Sequence, residues 1–196
     1  MTEVDDPLTV HDHVVRCTYA CIARFGMSKT TVEDVVKETG LSRATIYRYF
    51  PGGREELLHE AVAWQVAVFL SRLADHVAPA ESLAEMLDKG LEFARQAVVH
   101  HELLQRLLQT EPERLVGLLS TESAKTAPFI AAFLVPRLEI ERKAGRVGPD
   151  VDLAGAAAHL SRLILSYIGA KSVVDLDDAE QRRDLVEREL LGWLHP

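Results

Sequence analysis

The stretch from Thr30 to Gly53 constrains the fold most, because its punctuation leaves room only for two short helices joined by a tight turn. Thr30-Thr31-Val32-Glu33 reads as a capping box, in which the Thr30 hydroxyl takes an orphan backbone N–H and Glu33 reaches back to the cap. Val32, Val35 and Val36 then make the apolar side of a short helix. In Thr39-Gly40-Leu41-Ser42, Gly40 suits the left-handed conformation that stops a helix, and Ser42 suits the cap of the next. A further helix, about Arg43 to Tyr49, is broken by Pro51-Gly52-Gly53. Two short helices across so tight a turn are the signature of a helix-turn-helix.

The flanks are helical too. Val10, Val14, Cys17 and Cys21 recur at helical spacing, predicting a helix from about Thr9 to Phe25 that Gly26 ends. A long helix is predicted from Arg54 to His76, with Leu57, Leu58, Ala61, Val62, Gln65, Val68, Phe69 and Leu73 on one stripe, and Pro79 beyond it. Helical periodicity continues near 81–99, 102–109, 112–120, 122–144, 152–171 and 178–194, and no strand-period segment or internal repeat interrupts it. The chain therefore reads as all-α: a helix-turn-helix domain over 1–55 and a second helical domain over 56–196.

Charge separates the two. The chain of 196 residues carries a net charge of −8. Between Arg16 and Arg54, however, seven basic residues (Arg16, Arg24, Lys29, Lys37, Arg43, Arg48, Arg54) face three acidic ones (Glu33, Asp34, Glu38), a local +4 against −12 elsewhere. The remainder includes Glu3, Asp5, Asp6 and the run Asp175, Asp177, Asp178. One small region is thus suited to meet phosphates while the rest would be repelled.

Other classes fall away. Charges interrupt every apolar run, which argues against a membrane-spanning helix. Two Cys make no disulfide framework and no basic-then-apolar leader is evident, so a cytoplasmic location is expected. G-x-S-x-G, the phosphate-binding glycine loop and H-E-x-x-H are missing, so no enzyme is expected. No cofactor or metal is expected either: Cys17 and Cys21 share an apolar stripe, and the adjacent His100 and His101 diverge on a helix.

The residues Val14-Val15, Cys17-Thr18, Cys21-Ile22, Gly26, Thr30-Thr31-Val32, Gly40-Leu41-Ser42 and Thr45-Ile46-Tyr47-Arg48-Tyr49-Phe50 resemble the N-terminal domain of the TetR family of transcriptional regulators. The resemblance covers about positions 14 to 63, and the rest matches as a helical domain of suitable length. It implies a repressor whose third helix enters the major groove of a palindromic operator in double-stranded DNA. It also implies a small-molecule effector held in the C-terminal domain, and a homodimer formed by the last two helices. Where the family has a Lys after a shorter loop, this chain has Arg54, which keeps the charge for a phosphate. Where the family often has a basic arm, it has Glu3, Asp5 and Asp6. The rival reading is an α-helical enzyme or protein-interaction module with an incidental basic patch.

The candidate DNA-binding residues are Thr31, Ser42, Arg43, Ala44, Thr45, Tyr47, Arg48, Tyr49 and Arg54. Arg43, at the start of the third helix, is the best placed to bridge guanine O6 and N7. Ala44 and Thr45 are small and offer methyl groups to thymine, while Arg48 and Tyr49 suit positioning. By resemblance Tyr47 reaches the phosphate backbone, and Ile46 and Phe50 hold the helix from within. Thr31 offers a hydroxyl and an N–H to a phosphate at a helix start. Phe69, Met86, Phe93, Phe129 and Phe133 are the candidate ligand-binding residues, large apolar groups suited to a lipophilic effector. The small residues from Leu153 to Ala158, with Ser161, Ser166, Gly169 and Ala170, suit close packing of helices across a dimer interface.

Overall fold

The computed structural model describes residues 9–169 and 174–194. Glu3, Asp5 and Asp6 of the acidic opening, and Ala170 of the small-residue run, lie outside the described residues. The protein is all-α, in the order α1 (Val10–Phe25), α2 (Val32–Thr39), α3 (Arg43–Tyr49), α4 (Gly53–Val77), α5 (Leu83–His100), α6 (Glu102–Thr110), α7 (Pro112–Lys143), α8 (Leu153–Gly169) and α9 (Ala179–Asp184). A π turn (Leu185–Leu190) and a 3-10 turn (Gly192–Leu194) follow α9. No described helix is long and apolar enough to cross a membrane.

Two compact units divide the chain: Met1–Val68 with Arg106–Leu119, and Phe69–Gln105 with Ser120–Pro196. The first unit thus extends beyond the expected limit at residue 55 and takes in a second, distant segment. Its core is Val14, Val15, Cys21, Val32, Val35, Ile46, Phe50 and Leu57, with Val36, Leu41 and Trp64 packed on it. Cys21 behaves as a small hydrophobe there, and burial pushes its thiol up to about 11.

Caps fix the helix-turn-helix. Thr9 caps α1, Ser42 caps α3 by accepting the Thr45 N–H, and Gly40, left-handed at φ 69°, ends α2. The capping box sits one residue later than expected. Thr31 accepts the Asp34 N–H, and the Asp34 carboxylate takes the Thr31 N–H. Thr30 is instead buried, with its hydroxyl donating to the Gly26 carbonyl at 2.7 Å. Both adjacent pairs satisfy the same spacing, and the burial of Val32 against the core selects the second.

In the second unit, Leu83, Met86, Leu87 and Leu91 of α5 pack with Leu134 and Leu138 of α7, Ala157 and Leu160 of α8, and Leu185, Val186, Leu190 and Leu194. Two expectations are corrected here. The helices expected over 112–120 and 122–144 are one helix, because no breaker stands near Thr121. Pro128 and Pro136 lie within it at exposed positions, and Ala124 and Ala132, whose carbonyls lose their N–H partners to the two rings, are exposed as well. The helix expected over 178–194 tightens and widens instead: the Leu191 N–H reaches back to the Val186 carbonyl, a π spacing, and a 3-10 turn follows. Arg182, 4% exposed, ties this segment to α5 by donating to Asp88 at 2.8 Å and to the Leu176 carbonyl at 2.8 Å.

Glu141, 7% exposed, joins three parts of this unit. It accepts the Leu83 N–H at the start of α5 at 3.1 Å and a second hydrogen bond from Arg146. The Arg146 bond holds its carboxyl below the ordinary 4.5. A depressed folded-state pKa contributes stability that is present above the unfolded value and lost as pH falls through the folded one. Glu141→Gln is therefore expected to destabilise the protein by about 1.5–3 kcal/mol at pH 7. Thermal unfolding of both proteins should show that gap shrinking as pH falls below the ordinary carboxyl range, and a gap independent of pH would refute the assignment.

Candidate nucleic-acid interface

The candidate site is the outer face of α3. Its inner face is fixed by Ile46 and Phe50, both 0% exposed. His11 of α1 stacks on Phe50 at 4.8 Å between ring centroids. The helix period then turns Arg43, Ala44, Tyr47 and Arg48 outward, all exposed, along with Tyr49 at the end of the helix. Tyr47 and Tyr49 are unusually open for aromatic residues, at 38% and 39%. Ser42 is exposed as the cap, and Thr45 is half-buried, its hydroxyl 2.9 Å from that of Ser42.

Arg43 is paired across the turn. Its guanidinium donates to Glu33 of α2, lies 5.4 Å from the centroid of the Tyr47 ring, and approaches the Tyr47 hydroxyl at 3.4 Å. Arg48 lies 5.2 Å from the centroid of Tyr49. These contacts hold two long cations extended over aromatic rings on the open face. The Tyr47 ring in turn lies against Gly53, where a Cβ would fall 3.1 Å from Cε1. The loop Pro51-Gly52-Gly53 therefore seats the ring as well as ending α3.

Two expected contacts sit in different surroundings. Thr31 is exposed at the start of α2, but Asp34 already takes both its N–H, at 3.0 Å, and its hydroxyl, at 2.6 Å. The Thr31 hydroxyl bond holds the Asp34 carboxyl below its ordinary range. Arg54 points inward. Its guanidinium donates to the carbonyls of Thr30 (2.7 Å), Met27 (2.7 Å) and Ser28 (3.0 Å), and to Glu55. It thereby gathers the loop between α1 and α2, which no local spacing in the sequence announces.

Of the five expected ligand-binding residues, Phe69 and Phe93 lie together, their tilted rings 5.8 Å apart between centroids, with the His76 ring 5.0 Å from Phe93. Met86 is 3% exposed in the core, and Phe129 and Phe133 are 59% and 40% exposed on α7. A cleft of about 400 Å³ in the same unit is lined by Leu83, Ala84, Val147, Leu191 and Leu194 together with Glu141, Arg146 and Glu187, and by none of the five. Among the described residues, no group of three or more His, Cys, Asp or Glu is arranged to hold a metal ion.

Residues 16–61 match the family described as bacterial regulatory proteins, tetR family. The chain is 36% identical over 78 residues to an uncharacterized HTH-type transcriptional regulator of Mycobacterium tuberculosis, a match covering 38% of this chain and 36% of that protein. Among solved structures it resembles Salmonella enterica GusR, with 21% identity, 98% of this chain and 99% of that one covered, and a TM-score of 0.61. It also resembles the TetR family repressor AlkX of a Dietzia strain, implicated in biodegradation of n-alkanes, with 21% identity, 95% of each chain covered and a TM-score of 0.60. At such identity the two structures share the fold with this chain. The helix-turn-helix segment over residues 16–61 is thus similar to that of bacterial regulatory proteins of the tetR family.

Proposed function

We propose that this protein is a cytoplasmic, sequence-specific transcriptional repressor that binds a palindromic operator as a homodimer and is released by a small-molecule effector. The observation that carries the reading is the outer face of α3, where Arg43, Ala44, Thr45, Tyr47, Arg48 and Tyr49 stand on a helix anchored by two fully buried residues. Such a helix enters the major groove with its N-terminal residues at base edges. Arg43 leaves Glu33 for guanine, an exchange that an exposed ion pair resists by only about 0–1 kcal/mol. Ser42, Tyr47, Arg48 and Tyr49 hold the backbone on either side, and Thr31 approaches a phosphate once Asp34 gives up its hydroxyl.

Arg54 acts on DNA through the loop it gathers. Selection from a pool of random duplexes, followed by fluorescence anisotropy, tests the reading: an enzyme or interaction module with an incidental basic patch yields no selected sequence. Arg43→Ala should cost about 1–3 kcal/mol on the selected duplex, relax one base pair per half-site and leave Tm unchanged. Arg54→Ala should weaken selected and random duplexes alike, and lower Tm by several degrees as the loop carbonyls lose their donor. Equal effects of the two substitutions on sequence preference would remove Arg43 from readout.

The effector is proposed to bind in the second unit against Phe69 and Phe93, a lipophilic molecule by the character of those rings. The homodimer is proposed to form through the exposed side of α8, where Ala154, Gly155, His159 and Arg162 lie, with Trp193, 42% exposed and edge-on to His159 at 5.2 Å. His159→Glu with Trp193→Glu places four carboxylates at the twofold interface. Sedimentation should then fall from twice 21.8 kDa to 21.8 kDa, and a mass that stays doubled would move the interface elsewhere.

A further inference from the structure

The segment Arg106–Leu119 belongs to the first unit although the chain on either side of it, Gln105 and Ser120, belongs to the second. Three of its side chains fasten it. Arg106 donates to the carbonyls of Ala23 (2.6 Å) and Ile22 (3.3 Å) in the last turn of α1, where the negative end of the helix dipole also favours a cation. Glu111 accepts the Ser28 N–H at 2.7 Å and the Ser28 hydroxyl. Arg114 donates to both carboxylate oxygens of Glu55 in the first turn of α4, at 2.7 and 2.8 Å.

These contacts close a circuit. Glu55 also receives Arg54, and Arg54 holds the carbonyls of Met27, Ser28 and Thr30, so the loop bound by Glu111 from one side is bound by the Arg114–Glu55–Arg54 relay from the other. A Cβ on Gly26 would fall 2.5 Å from Glu111 Oε1, so a larger residue there displaces the carboxylate from its present seat. The next residue after this loop is Thr31, the cap of α2. Each contact is partly exposed and breaks readily, whereas together they fix one loop.

We propose that Arg106, Glu111 and Arg114 form a clamp that sets the position of the α1–α2 loop, and with it of the helix-turn-helix, at the point where the chain arrives from and returns to the second unit. The clamp rests on the reading of α3 as a DNA-reading helix for its consequence, but not for its geometry. The arm holds Ser28 directly and Glu55 beside Arg54, and so fixes the loop that leads into the cap of α2. Glu111, Arg106 and Arg114 are positioning residues that never meet DNA.

Hydrogen exchange by mass spectrometry on the full chain, with Glu111→Gln, Ser28→Ala and the double substitution, tests this. Glu111→Gln should speed exchange over residues 26–41 by about tenfold while residues 83–100 and 153–169 keep the wild-type rate. Its affinity for the selected duplex should fall about fivefold, with Arg43 still specifying the same base pair. Adding Ser28→Ala should change either readout by less than about twofold, because the hydroxyl it removes serves only the Glu111 carboxylate that is already gone. Unchanged exchange over 26–41 overturns the clamp, and so does an equal rise over 83–100, which would make the arm ordinary packing. Faster exchange confined to 26–41 in a protein that selects no duplex leaves the clamp standing and sinks the DNA reading.

Discussion

A helix of seven residues does not persist in water, since isolated helices shorter than about 12–15 residues are marginal even in favourable sequences. α3 exists because Ile46 and Phe50 are packed without exposure into the core built by Val14, Val35 and Leu57. Everything proposed for the open face depends on that anchoring. With the inner face immobilised, the direction of each outer side chain is set by the helix period and by one ring seated on Gly53. Rigid presentation lets a guanidinium meet a base edge at little cost in side-chain entropy.

The electrostatics follow the same economy of parts. The local positive charge belongs to a unit whose cations are partly committed to internal partners: Arg24 to Glu38, Arg43 to Glu33, Arg114 to Glu55, and Arg54 to backbone carbonyls. Of these, the exposed Arg43–Glu33 pair is the one proposed to dissolve when a base competes. The buried Arg182 in the second unit is different in kind, since breaking its bonds would strand a charge in the core.

Local chemistry made the helix-turn-helix legible. Ser42 and Gly40 punctuate α2 and α3 through backbone preferences that need no tertiary context, so the bounds of α3 could be read from the chain alone. Where two neighbouring residues satisfied one rule, as Thr30 and Thr31 do, packing decided between them. The long α7 and the π turn after α9 escaped for the same reason: periodicity gives a helix its faces but does not say whether a polar run interrupts it, nor where a turn widens. Least legible were Arg54 and the arm at Arg106, Glu111 and Arg114. The arm's partners lie 59 to 84 residues away in the chain, and no spacing links an arginine to a loop carbonyl at that distance.

α3 is proposed to read the major groove once in each half of a symmetric site. Dimethyl sulfate protection on the selected duplex addresses it directly, since the reagent attacks guanine N7 in the major groove and adenine N3 in the minor groove. Guanine protection is expected in two clusters about 10 base pairs apart, or a multiple of that, with one guanine per cluster exposed again by Arg43→Ala. Protection confined to adenine N3, or a single unrepeated cluster, would contradict it.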